Sequence, residues 1–244
     1  MRMEDVPAAL LAGGLGTRLG PSTATMPKAL VPVGGRPFID HQLELLRRNG
    51  IRRVVLCLGH RGEAVEAHLG KGDAHGLALE YSHDGDRLLG TGGALRRAAP
   101  LLGPLSWVLY GDSYTDIDLA AVLAAFEASD AWGLMTVLRN EGRWDKSNVL
   151  FRDGRLLRYD KRAPSPDMAH IDYGVALLRR PGLERIPPEG PYDLCDLYQN
   201  LVDEGGMIGF EVTRRFYEIG SPQGLEETRA YFEGREAERA KSSP

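Results

Sequence analysis

The chain has 244 residues, with 30 Lys and Arg against 34 Asp and Glu, a net charge of -4, 43% apolar residues and 26% charged ones, the make-up of an ordinary globular protein. Its mild acidity argues against nucleic acid as the main partner, because a phosphate-tracking surface is basic. No run approaches the roughly 18 apolar residues of a membrane span, and Glu4 and Asp5 precede the first apolar run, so neither a membrane partner nor a secretion signal is expected and the localisation predicted is cytoplasmic.

Strand-length apolar runs alternate with segments of helical period through the first 130 residues, the pattern of repeated βαβ units around a mostly parallel sheet. Residues 6–12 read as a buried strand ending in glycines. Residues 37–49 follow as a helix, with Pro37 in its first turn, Phe38, Leu43 and Leu46 at helical spacing, and Gly50 as terminator. Strands at 54–58, 77–82 and 107–110 and helices at 63–69, 91–99 and 119–129 continue the alternation. From residue 132 close strands appear, at 132–140, 148–154, 155–161 and 171–180, and these read as antiparallel insertions beside the parallel sheet. A helix at 192–204, strands at 207–213 and 214–220, and a last helix at 222–234 follow; the tail 235–244 is expected to fray. Cys57 and Cys195 have apolar neighbours and read as reduced core thiols, and the six histidines show no metal-ligand spacing.

The chemistry concentrates in the loop Leu11-Ala12-Gly13-Gly14-Leu15-Gly16-Thr17-Arg18-Leu19-Gly20, followed by Met26-Pro27-Lys28. Glycines let the backbone approach an anion and aim N–H groups at it, while Arg18 and Lys28 add positive charge, so the segment reads as a phosphate cradle. The plain alternative is a glycine-rich turn between strand and helix. No Gly-Lys-Ser/Thr closes a Walker spacing. A dinucleotide-binding loop would run straight into a helix, whereas Gly20-Pro21 interrupts it. Asp112 stands just past the buried strand 107–110, at the carboxyl end where parallel α/β sheets bind ligands, and suits a metal; its alternative is a helix cap or turn. Asp116 and Asp118 read as turn and cap residues.

Gly13-Gly14-Leu15-Gly16-Thr17-Arg18-Leu19 with Pro27-Lys28-Ala29-Leu30 resembles the GGxGTRL…PKxL pattern of the sugar-1-phosphate nucleotidyltransferases. The resemblance extends to Gly90-Thr91-Gly92-Gly93-Ala94, Gly111-Asp112, Asp160-Lys161 and Ile219-Gly220-Ser221-Pro222. It implies a single Rossmann-like α/β domain over residues 1–234, with a mostly parallel mixed sheet flanked by helices, antiparallel sugar-side insertions and no β-helix domain. Within it, 1–130 would bind nucleotide and 131–234 the sugar phosphate. The reaction implied joins a nucleoside triphosphate to a sugar 1-phosphate with Mg²⁺, giving an NDP-sugar and pyrophosphate, and Arg18, Lys28 and Asp112 would be catalytic.

On the same resemblance, Leu11, Ala12, Gly13, Gly14, Gly16, Thr17 and Arg18 would hold the triphosphate, Gly90, Thr91 and Gly92 would lie by base and ribose, and Asp84 would read the base, tilting it toward guanine. Lys161, Asp172, Tyr173 and Asn148 would bind the sugar phosphate, and Asp112 and Glu218 the metal. Two departures stand out: Glu218 replaces the family's usual Asp, and Asp172-Tyr173 replaces a usual Asn and small residue. Lys161 has the alternative of a solvated strand-end lysine. Arg143 and Lys146 either hold the sugar phosphate or form a solvated hairpin face. The short heptose-1-phosphate guanylyltransferases are the nearest likeness, through the LGTGGA and GD…DID segments. Rivals are a hexose or N-acetylmuramate 1-phosphate enzyme using UTP, CTP or dTTP, and a non-catalytic nucleotide-sugar sensor. A homodimer is a family expectation.

Overall fold

A computed structural model describes residues 1–19 and 26–242, with side chains as far as Glu236; Gly20 and Pro21, expected to interrupt a helix, lie outside the described residues. In chain order the first half runs β1 (Ala8–Leu11), a ribbon of β2 (Pro32–Val33) and β3 (Arg36–Pro37), α1 (Phe38–Arg48), β4 (Arg53–Leu58), α2 (Gly62–Leu69), β5 (Ala78–His83), α3 (Gly90–Ala98) and β6 (Leu105–Tyr110). The second continues through β7 (Ser113–Tyr114), α4 (Leu119–Glu127), β8 (Gly133–Arg139), the hairpin β9 (Val149–Arg152) and β10 (Arg155–Tyr159), β11 (His170–Arg179), α5 (Arg180–Leu183), α6 (Leu194–Asp203), β12 (Met207–Val212), β13 (Tyr217–Glu218) and α7 (Pro222–Ser242).

Among the described residues nine strands share one mixed sheet. β6, β1, β4 and β5 lie side by side in parallel, as the alternating pattern of the sequence requires. β11 then pairs antiparallel with both β6 and β8, and β12 joins β8 in parallel. The second half of the chain therefore extends the first half's sheet.

The apolar runs are continuous because each central strand is covered on both faces. On one face Leu10, Leu56 and Trp107 pack with Ile39 and Leu43 of α1, Val65 of α2 and Phe126 of α4. On the other, Ala9, Val55 and Val108 meet Leu95 of α3 and Leu197 and Leu201 of α6. A third cluster fixes α7: Leu225 and Phe232 pack with Phe38, Tyr114 and Ile219.

The strand-and-helix steps expected through residue 130 are all present, shifted by one or two residues at their ends. Asp118 caps α4 by accepting from the N–H groups of Ala120 and Ala121 at 3.0 and 3.1 Å. α6 begins later than expected because Asp193 caps it, accepting from the Cys195 N–H at 3.0 Å. Of the expected strand 214–220 only Tyr217–Glu218 is extended, and it leaves the main sheet to pair with β7. α7 runs past Gly234 to Ser242. Cys57 and Cys195 are free and buried.

Candidate functional site

The site is built where β1 and β6 end side by side. The Gly111 N–H donates to the Leu11 carbonyl at 2.9 Å, so the loop after β1 and the carboxylate after β6 are tied together by backbone. Gly111 is needed there: a Cβ would lie 2.7 Å from that carbonyl oxygen and 2.9 Å from the Cα of Ala12. A cavity of about 360 Å³ opens above this junction. Leu11, Ala12, Gly13, Gly14, Gly16, Thr17 and Arg18 line it together with Lys28 and Asp112.

Asp112 is the junction's charged centre. Its Oδ2 accepts from Lys28 Nζ at 2.7 Å and its Oδ1 from the Ser113 hydroxyl at 3.1 Å. Burial alone would push its carboxyl up, but the Lys28 charge and hydrogen bond, the Ser113 hydroxyl and the field of Lys161 together hold it below the usual carboxylate range. It does not cap a helix. Gln42 of α1, a residue with no motif around it, buttresses this turn by donating to the carbonyls of Tyr110 and Ser113 at 3.0 and 2.8 Å.

Glu218 is brought next to Asp112 by the β7–β13 ribbon, in which Glu218 pairs with Ser113 and the Ile219 N–H donates to the Asp112 carbonyl at 2.9 Å. Its carboxylate is turned onto the start of α7, accepting from the N–H groups of Gly220 and Ser221 and from the Ser221 hydroxyl. The extra methylene, relative to Asp, thus gives Glu218 a structural role at a helix start. Gly220 makes room for this packing, since a Cβ there would meet Glu218 Oε2 at 2.6 Å and both Arg18 Nη2 and Lys28 Nζ at 3.1 Å. Among the described residues no group of three or more His, Cys, Asp or Glu side chains is arranged to hold a metal by itself.

A second cavity, of about 330 Å³, adjoins the first and shares Arg18, Tyr110 and Asp112 with it. Lys161, Asn148, Asp172 and Glu218 line it. Lys161 is exposed, and its ammonium stands 5.4 Å from the centre of the Tyr110 ring at the edge of this cavity. Asp160 forms the turn that presents it, accepting from the N–H groups of Arg162 and Ala163 at 3.0 and 2.7 Å. Asn148, 5% exposed, accepts from the Asp172 N–H at 2.9 Å. Burial raises the Asp172 carboxyl above its ordinary value against the opposing Lys161 charge, the Gly174 N–H and the Tyr159 hydroxyl.

Two expectations need correction. Tyr173 borders the second cavity, yet its side chain is core, 1% exposed and edge-on to Phe216 at 5.8 Å, because strand alternation turns it away from the Asp172 side. Gly92 does not line the first cavity; its N–H donates to the Tyr192 carbonyl at 2.9 Å and its bare Cα seats the Tyr192 ring. Arg143 reaches the second cavity but Lys146 does not. Gly90 and Thr91 do line the first cavity, though the Thr91 hydroxyl also links α3 to α6 through Asp193 at 3.0 Å. Asp84 lines it as well, 6% exposed: Oδ2 accepts from the Leu89 N–H at 3.0 Å and Oδ1 has no partner among the described residues. Burial raises its carboxyl above the ordinary value.

Sequence reasoning passed over Tyr110, which borders both cavities, and over Trp144, Arg215, Phe216, Gln223 and Glu227 in the wall of the second. Their only local signal is proximity to the RWDKSNV and FYEIGSP segments.

A glycine-lined cavity carrying Arg18 and Lys28 meets a polar cavity at the Asp112 carboxylate, an arrangement suited to an enzyme that moves a phosphorus-bearing group between two substrates. The chain belongs to the nucleotidyl transferase family, whose model matches residues 8–146. It is 29% identical over 230 residues to an N-acetylmuramate alpha-1-phosphate uridylyltransferase of Caulobacter vibrioides, covering 88% of this chain and 92% of that protein. It is 31% identical over 228 residues to a mannose-1-phosphate guanylyltransferase of Mycobacterium tuberculosis, covering 91% of this chain but only 63% of that longer protein. Its fold matches a putative glucose-1-phosphate thymidylyltransferase of Bacillus anthracis with a TM-score of 0.83 at 21% identity, over 93% of this chain and 95% of that one. Among the described residues no helix is long and apolar enough to cross a membrane.

Proposed function

We propose that the chain transfers a nucleoside monophosphate from a nucleoside triphosphate to a sugar 1-phosphate, forming an NDP-sugar and releasing pyrophosphate. The observation that carries this reading is the sharing of Arg18, Tyr110 and Asp112 by two adjoining cavities, one glycine-lined and one polar. A triphosphate in the first and a sugar phosphate in the second would meet at those residues. An oxygen of the sugar phosphate attacks the α-phosphorus, and the bond to pyrophosphate breaks. Two polyanions repel, so the site's task is to neutralise and align them. Arg18 and Lys28 serve the triphosphate, and Lys161 the sugar phosphate.

Asp112 fits a Mg²⁺ ion: it is an ionised oxygen donor, about a third exposed at 34%, where the two cavities join. Glu218, on the paired strand, would join it through the lone pairs its helix-start hydrogen bonds leave over. The ion would supply charge neutralisation at the phosphate oxygens. Asp84 at the wall of the first cavity favours GTP, because a carboxylate accepts from both the N1–H and the amino group of guanine. The heptose-type segments favour D-glycero-D-manno-heptose 1-phosphate as acceptor. The Caulobacter vibrioides relative supports the competing pair of UTP with N-acetylmuramate 1-phosphate.

The test is Mg²⁺-dependent pyrophosphate release from each of the five common nucleoside triphosphates crossed with a panel of sugar 1-phosphates. Turnover with one pairing, lost in Asp112→Asn, supports the reading. A folded protein that binds a nucleotide sugar but turns over nothing would replace it with a sensor.

A further inference from the structure

The wall of the second cavity holds an arrangement that says which sugars fit. Arg215 precedes β13 and reaches α7, where its Nη2 donates to Glu227 Oε2 at 2.5 Å, while Gln223 Nε2 donates to Glu227 Oε1 at 2.9 Å. The Arg215 guanidinium lies 4.5 Å from the Tyr217 ring centre and 5.3 Å from that of Trp144. Arg215, Gln223, Glu227 and Trp144 all line the cavity, and the side chains are partly exposed, at 32% for Arg215 and 35% for Glu227. Among the described residues this cluster shares no side-chain hydrogen-bond partner with Lys161, which stands over Tyr110 beside Asp172.

The cavity's cations divide into two sets. Arg18 and Lys161 face the shared junction and stand where the 1-phosphate enters. Arg143 and Arg215 are each already matched, to Glu141 at 2.6 Å and to Glu227 at 2.5 Å. Asp145 and Asp172 add further negative charge to the same wall. A second anionic group on the sugar would meet these carboxylates where the charge of Arg143 and Arg215 is already offset by Glu141 and Glu227, while the remaining N–H groups of Arg215 stay open to neutral acceptors. A pair of neighbouring hydroxyls would instead find a donor fork and an acceptor carboxylate held in register.

We propose that this chain selects sugar 1-phosphates whose only anionic group is the phosphate, and that the Arg215–Glu227–Gln223 cluster is the specificity element that reads hydroxyls on the remainder of the sugar. The inference rests on the sugar 1-phosphate reading above. It separates this chain from enzymes whose acceptor carries a carboxylate.

The experiment compares matched acceptors that differ only at C6: glucose 1-phosphate against glucuronic acid 1-phosphate, and mannose 1-phosphate against mannuronic acid 1-phosphate, each with every triphosphate. The wild type is expected to favour the neutral member of each pair. In Glu227→Gln the ratio of kcat/KM for the uronate to that for the neutral sugar should rise about tenfold, the size of a partly screened like-charge contact. The KM for the sugar should move and the KM for the triphosphate should not. A purely structural role for Glu227 would lower both acceptors alike and leave the ratio fixed. Wild-type preference for a uronate, or a fixed ratio in the variant, overturns the proposal and leaves nucleotidyl transfer standing. No transfer to any sugar 1-phosphate overturns the function beneath it, and the proposal with it.

Discussion

Replacing Gly111 by alanine puts the geometry of the junction under direct strain. The added methyl would sit 2.7 Å from the Leu11 carbonyl oxygen and 2.9 Å from the Cα of Ala12, where ordinary contact begins at 3.4 Å, and both obstacles are backbone of the central strand region. Neither can rotate aside, so β6 must separate from β1 at the point where the Gly111 N–H bonds to Leu11. Overpacking of this kind costs about 1–3 kcal/mol. For a chain of this length that lowers the melting temperature by roughly 2–4 °C per kcal/mol. The same shift moves Asp112, the next residue, and a displacement approaching ~1 Å at a reacting centre costs up to about a hundredfold in rate. Gly14→Ala is the matched control: a Cβ there has nothing within 4 Å, yet the residue lines the glycine-rich cavity. Denaturant unfolding and pyrophosphate release would be measured on both. Gly111→Ala should lose stability and rate together, and Gly14→Ala should lose rate alone. Wild-type stability in Gly111→Ala would refute the claim that the two strand ends are held in contact.

Asp172 is raised above its ordinary value chiefly by burial, so the folded state retains its proton at a pH where the unfolded chain has released it. The native state is accordingly favoured below the unfolded carboxyl's pKa, and that advantage is lost as pH rises through the folded value. Asp172→Asn should therefore be more stable than wild type at neutral pH, with the difference disappearing in acid, as denaturation at two pH values would register; a constant difference would contradict it. Asp118→Ala removes the α4 cap and should cost about 1 kcal/mol without changing turnover, measured by the same two assays.

The parts of the molecule legible in the sequence are those fixed by local rules. The glycine loop, Lys28 and Asp112 were marked by residue type and by their position at strand ends, and the structure brings them into one cavity. The parallel strands were marked by runs covered on both faces. What stayed hidden depends on distant segments meeting. That β12 lies parallel to β8 cannot be read from either strand, and Glu218's turn toward α7 depends on its own Gly220 and Ser221. The burial of Tyr173 is hidden from the sequence because the two faces of β11 carry different surroundings: Asp172 meets Tyr159 while Tyr173 meets Phe216. The second cavity's far wall joins Trp144 to Arg215 and Glu227, from a loop, a strand approach and a helix, with no shared spacing to betray it.

The ribbon of β7 and β13 has a consequence for how the protein is made. Ser113 and Tyr114 leave the ribosome well before Tyr217 and Glu218, their pairing partners, and α7 follows later still. Until then Tyr114 lacks the Phe232 ring that packs against it at 4.9 Å, and the second cavity lacks Gln223, Gly224 and Glu227. Vectorial synthesis thus builds the glycine loop first and closes the acceptor side last, so a nascent chain can fold its parallel core while the site where two substrates would meet is still open on one side.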